Sequence, residues 1–231
     1  MSLLGTLQGT LVNAFAIIMG AIVGVITGRL IPKRINDIAM QGIGLSVLLI
    51  GLQMALQSRQ VLLLTFSLVT GGIVGELLRL EEKLLDLGKR IERSLGGGQS
   101  RIARAFVYST LLYCLGAMGI TGSLESGLMG RHQILYAKSV IDGILAIIFA
   151  STMGVGVAFS ALPVLFYQGS IALLASWASL ILSDTVIIEL SAVGGLLIVG
   201  IGLNLLQIKT LKIGNLLPAL LFNAILVYLW V

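Results

Sequence analysis

A chain of 231 residues that is 57% hydrophobic and 11% charged, with a mean hydropathy of +1.06, is excluded from the soluble globular class and reads as an integral membrane protein. Its net charge of +5 sits in a few loops, so it reports membrane topology rather than affinity for nucleic acid. One cysteine (Cys114) and one histidine (His132) argue against a disulfide framework, a Cys/His metal centre and a Ser-His or Cys-His catalytic pair. No cofactor is expected, and nothing specifies a metal.

The first apolar segment starts near Leu7 with no basic residue before it, and Arg29, Lys33 and Arg34 follow it. That order is the reverse of a secretory signal and suits a retained helix whose amino terminus lies outside. Apolar runs then predict spans over about 7–28, 37–57, 61–79, 104–122, 134–157, 163–183, 186–207 and 213–231. The expected fold is therefore an all-α bundle of about eight transmembrane helices forming one integral membrane domain over residues 1–231. The fifth and sixth spans are joined by Ser160, Ala161, Leu162 and Pro163, a connection without charge, for which one long kinked helix is the alternative.

With the first loop in the cytoplasm, Arg29, Lys33, Arg34, Arg79, Lys83, Lys89, Arg90, Arg93, Arg101, Arg104, Lys209 and Lys212 share that side, leaving Arg59, Arg131 and Lys138. That asymmetry places both termini outside a bacterial inner membrane. Residues 80–98 form the single long polar stretch. Leu80, Leu84, Leu87, Ile91 and Leu95 recur at helical spacing, which predicts an amphipathic helix on the cytoplasmic leaflet, and Gly96, Gly97 and Gly98 form a linker back into the bilayer.

Two internal similarities stand out. Gly44-Leu45 and Ile50-Gly51-Leu52-Gln53 match Gly195-Leu196 and Ile201-Gly202-Leu203-Asn204 at one constant offset, in spans of opposite direction. This pattern suits an inverted repeat of helices 1-3 and 6-8, an arrangement frequent in secondary transporters, with Gln53 and Asn204 as its shared polar position. A second match pairs Ala16-Ile17-Ile18 and Gly24-Val25 with Ala146-Ile147-Ile148 and Gly154-Val155, in parallel spans.

The segment from Gly116 to Asp142 carries the polar groups that cost most in hydrocarbon. Lys138 and Asp142 are four residues apart and share a helix face, which suits either a binding site or a self-contained ion pair near the outer interface with Lys138 snorkelling. Glu125 stands between Ser123 and Ser126 after Gly116, Gly119 and Gly122, where a loosened helix end would offer Thr121, Ser123, Glu125 and Ser126 as ligands. An outer loop with a solvated glutamate is the competing reading. Glu76 beside Arg79 suits an ion pair at a helix end, and Asn13, Gln53, Gln168, Asn204, Asn215 and Asn223 suit hydrogen bonding between helices. Gly20, Gly24 and Gly28, with Gly71, Gly72 and Gly75, suit close helix packing.

The strings GAMGITGSLESGL, KSVIDG, GVGVAFSALPVLFYQG and GNLLPALL together resemble the bacterial membrane proteins grouped as domain of unknown function 554, of the YqgA and YdfK type. The likeness covers essentially the whole chain. It implies a polytopic inner-membrane protein with transport suspected, and it carries over no substrate or catalytic residue.

The leading functional expectation is a secondary transporter of a small ion or polar metabolite, with Glu125 and Asp142 binding a proton or cation and Lys138 keeping Asp142 ionised. An oligomeric channel lined by the glycine-rich segment is an alternative, and homo-oligomers suit the glycine-rich faces. A non-transport assembly factor acting through the cytoplasmic helix is another. An intramembrane enzyme is disfavoured, since a Ser123–Lys138 pair would rest on sequence proximity alone and Asp142 has no second aspartate beside it. No nucleic-acid partner is expected.

Overall fold

The structure is a computed structural model that describes residues 3–28, 30, 32–94 and 101–230. All regular structure among them is helical: α1 (Leu3–Gly28), α2 (Lys33–Ala55), α3 (Val61–Leu77), α4 (Leu80–Ser94), α5 (Arg101–Cys114), α6 (Ala117–Met129), α7 (Gln133–Met153), α8 (Gly156–Phe159), α9 (Ala161–Leu173), α10 (Ala175–Ile181), α11 (Asp184–Leu205), a 3-10 turn (Ile213–Leu216) and α12 (Pro218–Trp230). Among the described residues 6 segments are long and apolar enough to cross a membrane, and up to 8 if the bent pairs α3–α4 and α5–α6 each count as a span. Arg29 and the Gly96–Gly98 linker lie outside the described residues, as do the side chains of Leu87 and Ile91 on the amphipathic helix.

Two predicted boundaries move. The charge-free stretch at 160–163 is not the connection between the fifth and sixth spans, because the chain turns earlier, at Gly154 and Val155. Gly154 has φ 89° and ψ −165°, a conformation that glycine alone adopts without strain. Pro163 then falls in the first turn of α9, where its missing N–H costs nothing. The predicted span 104–122 is interrupted at Leu115 and Gly116, where α5 and α6 meet at a bend of 61°.

The chain forms two compact units. The first comprises residues 1–39, 85–114 and 118–180. Its centre is the parallel pair α1 and α7, in which Gly20, Gly24 and Gly28 lie against the backbone oxygens of Gly143, Ile147 and Ser151. A Cβ at any of the three would collide with that backbone. Lipid gives apolar helices no hydrophobic reason to associate, so close approach through small residues supplies the packing energy. Gly156 on α8 meets Ile102 of α5, and Gly127 on α6 meets Ala172 of α9, in the same manner.

The second unit comprises residues 40–84, 115–117 and 181–231. Gly71 and Gly75 of α3 lie on Ala219 and Asn215, an antiparallel packing that extends from α12 into the 3-10 turn. In α2 and α11 the glycines meet crosswise: Gly44 approaches Gly202, and Gly51 approaches Gly195. The turn into α4 is clamped by the 3-10 segment, where Glu81 N–H donates to Asn215 Oδ1 (2.7 Å) and Gly214 N–H donates to Glu81 Oε2 (2.6 Å). Arg79, at φ 51°, makes the accompanying bend of 58°.

Helix α11 ends in a Schellman turn. Ile208 N–H donates to Leu203 O and Gln207 N–H to Asn204 O, each at 3.1 Å, and Gln207 takes φ 58°. Asn204 then fixes the following loop, donating to Leu211 O (2.8 Å) and accepting from Leu211 N–H (2.7 Å). Gln207 occupies the position that glycine fills at lowest cost. We therefore expect Gln207→Gly to stabilise the protein by about 1 kcal/mol, seen as a higher unfolding temperature in detergent. An unchanged or lower temperature would show that the Gln207 side chain contributes contacts of equal worth.

Candidate functional site

The densest buried polar cluster of the first unit joins three helices. Lys138 Nζ, on α7, lies 2.9 Å from Asp142 Oδ1 and 2.8 Å from Oδ2. Asn13 Nδ2, from α1, donates to Asp142 Oδ2 (3.0 Å) and to Gln168 Oε1 of α9 (3.2 Å). Asn13 and Gln168 are 0% exposed, Asp142 3% and Lys138 6%. At ~1.5 Å per residue, Asp142 lies about 14 Å along α7 and Asn13 about 15 Å along α1, near the middle of each helix. The sequence places each amide alone in an apolar helix, and their convergence on Asp142 gives each a reason to be there.

The carboxylate orders the amides. Asp142 can only accept, so Asn13 must turn its NH2 towards it, and the same NH2 then selects the oxygen of Gln168. Asn13 Oδ1 and Gln168 Nε2 are left buried with no hydrogen-bond partner, as are Thr10 Oγ1, one turn before Asn13 on α1, and the Tyr113 hydroxyl on α5. An unmatched buried acceptor or donor costs about 1–3 kcal/mol. Four of them make this region the least satisfied polar region of the unit. Thr10 and Tyr113 carried no special signal in the sequence, since single hydroxyls are common in apolar helices.

Glu125 is not in the cluster. Helix α6 is regular from Ala117 to Met129, and its buried face carries Gly119, Gly122, Ser123 and Ser126. Glu125 sits about 100° from Ser126 and 200° from Ser123 around the helix, is half-buried, and makes no hydrogen bond or ion pair among the described residues. The loosened backbone expected there occurs before α6, at Leu115–Gly116. Ser123 Oγ donates to Gly119 O (2.6 Å), and Lys138 donates to Asp142 instead. Thr121 is half-buried on the same helix.

Ser126 donates to Thr6 O (2.9 Å) and lies 2.7 Å from His132 Nδ1. This corrects the expectation that one histidine excludes a Ser-His pair: a single imidazole suffices. The Ser126 hydroxyl donates to a carbonyl, and the arrangement ties α6 to α1 and to the residue that opens α7.

The second unit holds a carboxylate that the sequence reading passed over. Glu189 is 0% exposed, and its carboxylate accepts from Ser58 Oγ (2.6 Å), Arg59 N–H (2.7 Å) and Gln60 N–H (3.2 Å) at the start of α3. An acidic residue inside the apolar run VIIELSAV was the available signal. Of the remaining predicted amides, Asn204 holds its own loop, and Asn215 ties the 3-10 turn to Glu81 N–H and Glu76, whereas Asn223 is 0% exposed with neither side-chain atom hydrogen-bonded, so the interhelical bond expected of it is not made. Gln53 is exposed, so it does not share the role of Asn204.

An open groove of about 600 Å³ in this unit is lined by apolar side chains including Leu68, Ile73 and Leu216, with Glu76 and Lys212 at its polar edge. Those two are paired at 2.7 Å, not Glu76 with Arg79, and the hydrogen bond to Glu76 holds the Lys212 ammonium above its usual pKa. The groove thus presents no unpaired charge to a ligand.

A family model described as "Protein of unknown function (DUF554)" matches residues 8–228. The chain is 34% identical to the "Uncharacterized membrane protein YdfK" of Bacillus subtilis (strain 168), over 95% of each chain. It is 28% identical to the "Uncharacterized protein YqgA" of Escherichia coli (strain K12), over 96% of this chain and 97% of the relative. No solved structure matches.

Proposed function

The chain belongs to the DUF554 family and is a helical membrane protein, and from that premise we propose that it is a secondary transporter of a small ion or polar solute in a bacterial inner membrane, with both termini extracytoplasmic. The observation that carries the reading is the Asn13–Asp142–Lys138–Gln168 cluster: an ion pair and two amides, closed from solvent, midway along the helices, with polar atoms left unmatched. Complete burial favours a carrier, which occludes its substrate, over a standing pore.

Repeat architecture supports the same reading. If helices 1-3 and 6-8 are inverted repeats, the matched glycines Gly44 and Gly51 correspond to Gly195 and Gly202. Each contacts the other's counterpart, the reciprocal pattern expected around a two-fold axis. Each compact unit also draws on both halves: α1 and α9 fall in the first, α2–α3 and α11–α12 in the second.

The test is counterflow in proteoliposomes across a panel of ions and polar metabolites. Asp142→Asn should abolish exchange of whichever solute the protein carries, and Glu125→Gln should leave it in place. Full exchange by Asp142→Asn would remove the site from the transport path.

A further inference from the structure

We infer that the Asp142 site accepts a small organic cation bearing N–H donors, an alkylammonium or guanidinium, in the place now held by the Lys138 ammonium; the inference rests on the transporter reading of this site. The position beside Asp142 is already shaped for such a group. Lys138 Nζ contacts both carboxylate oxygens at 2.8–2.9 Å, the geometry of N–H donors on a carboxylate. Further acceptors stand unused nearby, Asn13 Oδ1 on the residue that itself binds Asp142, and Thr10 Oγ1 one turn away on the same helix.

Beside the Lys138 stem there is room for carbon. Gly119 leaves a methyl-sized space there: a carbon at its Cβ position would sit 3.6 Å from Lys138 Cε, 3.7 Å from Tyr167 Cε1 and 3.8 Å from Gln168 Nε2, all ordinary contacts. A divalent metal is disfavoured, since no group of three acidic, histidine or cysteine side chains occurs among the described residues.

Charge balance then gives the coupling. Asp142 and Lys138 sum to zero, and a low-dielectric site resists gaining net charge. When the incoming cation takes Asp142, Lys138 loses its counter-ion, and one proton passes from Nζ to water, leaving a neutral amine: one cation enters and one proton leaves. The other titratable groups facing this pair are Tyr113 and Cys114 on α5 and Tyr167 on α9. All three are neutral as phenol or thiol at neutral pH and supply no competing charge. The α1 and α6 groups beside the pair, Asn13 and Gly119, do not titrate.

The experiment is calorimetry of the full-length protein in detergent with methylammonium and guanidinium chlorides, against sodium and potassium chlorides. Two buffers of different ionisation enthalpy count the protons. Binding of the organic cations with release of about one proton each, lost in Asp142→Asn and in Lys138→Arg, is the expected result. Arginine keeps the ion pair, and its unchanged unfolding temperature would confirm this, but it cannot shed its proton. No binding, equal binding of sodium or potassium, or binding without proton release overturns the inference. A guanidinium gradient across proteoliposomes with a luminal pH dye separates the two readings: binding without counter-movement of protons sinks transport but keeps the ligand class. Proton movement that persists in Asp142→Asn sinks both.

Discussion

Replacing Lys138 with methionine destabilises the protein by ~3–5 kcal/mol, and adding Asp142→Asn recovers most of that loss. The asymmetry follows from burial. In the native state the two charges screen each other at 2.8 Å while 6% and 3% exposed. Methionine preserves the lysine stem but strips Asp142 of its counter-charge in a low-dielectric site, with only the Asn13 amide to offset it. Asparagine in place of Asp142 removes that charge and can still accept from Asn13. Denaturant unfolding in micelles, run as a double-mutant cycle, measures the coupling. A Lys138→Met protein as stable as the native one would mean that the pair is hydrated, and a double variant no better than the single would mean that the loss is packing rather than charge.

Hydropathy made the helices legible, because twenty apolar residues in a row have few fates. The breaks were less so. The turn at Gly154 depends on one glycine conformation, whereas Ser160–Pro163 merely looked like a loop, and the interruption at Leu115–Gly116 lies inside an apolar run. The Lys138–Asp142 pair was legible from its i, i+4 spacing, since that contact is local to one helix. Asn13 and Gln168 could be read only as amides needing partners: they lie 155 residues apart, and no periodicity reports which helices adjoin. Glu125 shows the opposite error. Glycine density suggests loosened backbone, but Gly122 and Gly127 bring α6 close to its neighbours, and the helix remains regular. In the matched spans the glycines carried the informative correspondence, because they meet, and the polar pair Gln53 and Asn204 did not.

Glu189→Ala should cost about 2–4 kcal/mol, nearly as much as breaking the central ion pair, although Glu189 is far from it in sequence and belongs to the second unit. Its carboxylate does the work of a helix cap supplied from another helix: the cap residue of α3, Gln60, makes no side-chain capping bond, and the N–H groups of Arg59 and Gln60 are satisfied by Glu189 instead. The negative charge also faces the positive end of the α3 dipole. Alanine removes three acceptor contacts at once and leaves the Ser58 hydroxyl and the Arg59 amide to find water, while Gln60 N–H keeps only its contact to Ser58 Oγ (3.2 Å). Glutamine keeps one oxygen and loses the charge, so its cost should be about half. Global unfolding alone would not separate a lost cap from a cavity, because both lower stability. Hydrogen exchange does: if Glu189 is the cap, protection falls first at Arg59, Gln60 and the opening turn of α3 in both variants, while α11 around residue 189 stays protected. Exchange that rises along α11 instead, with the α3 entry unchanged, would show that Glu189 serves packing and that the start of α3 is held by other contacts.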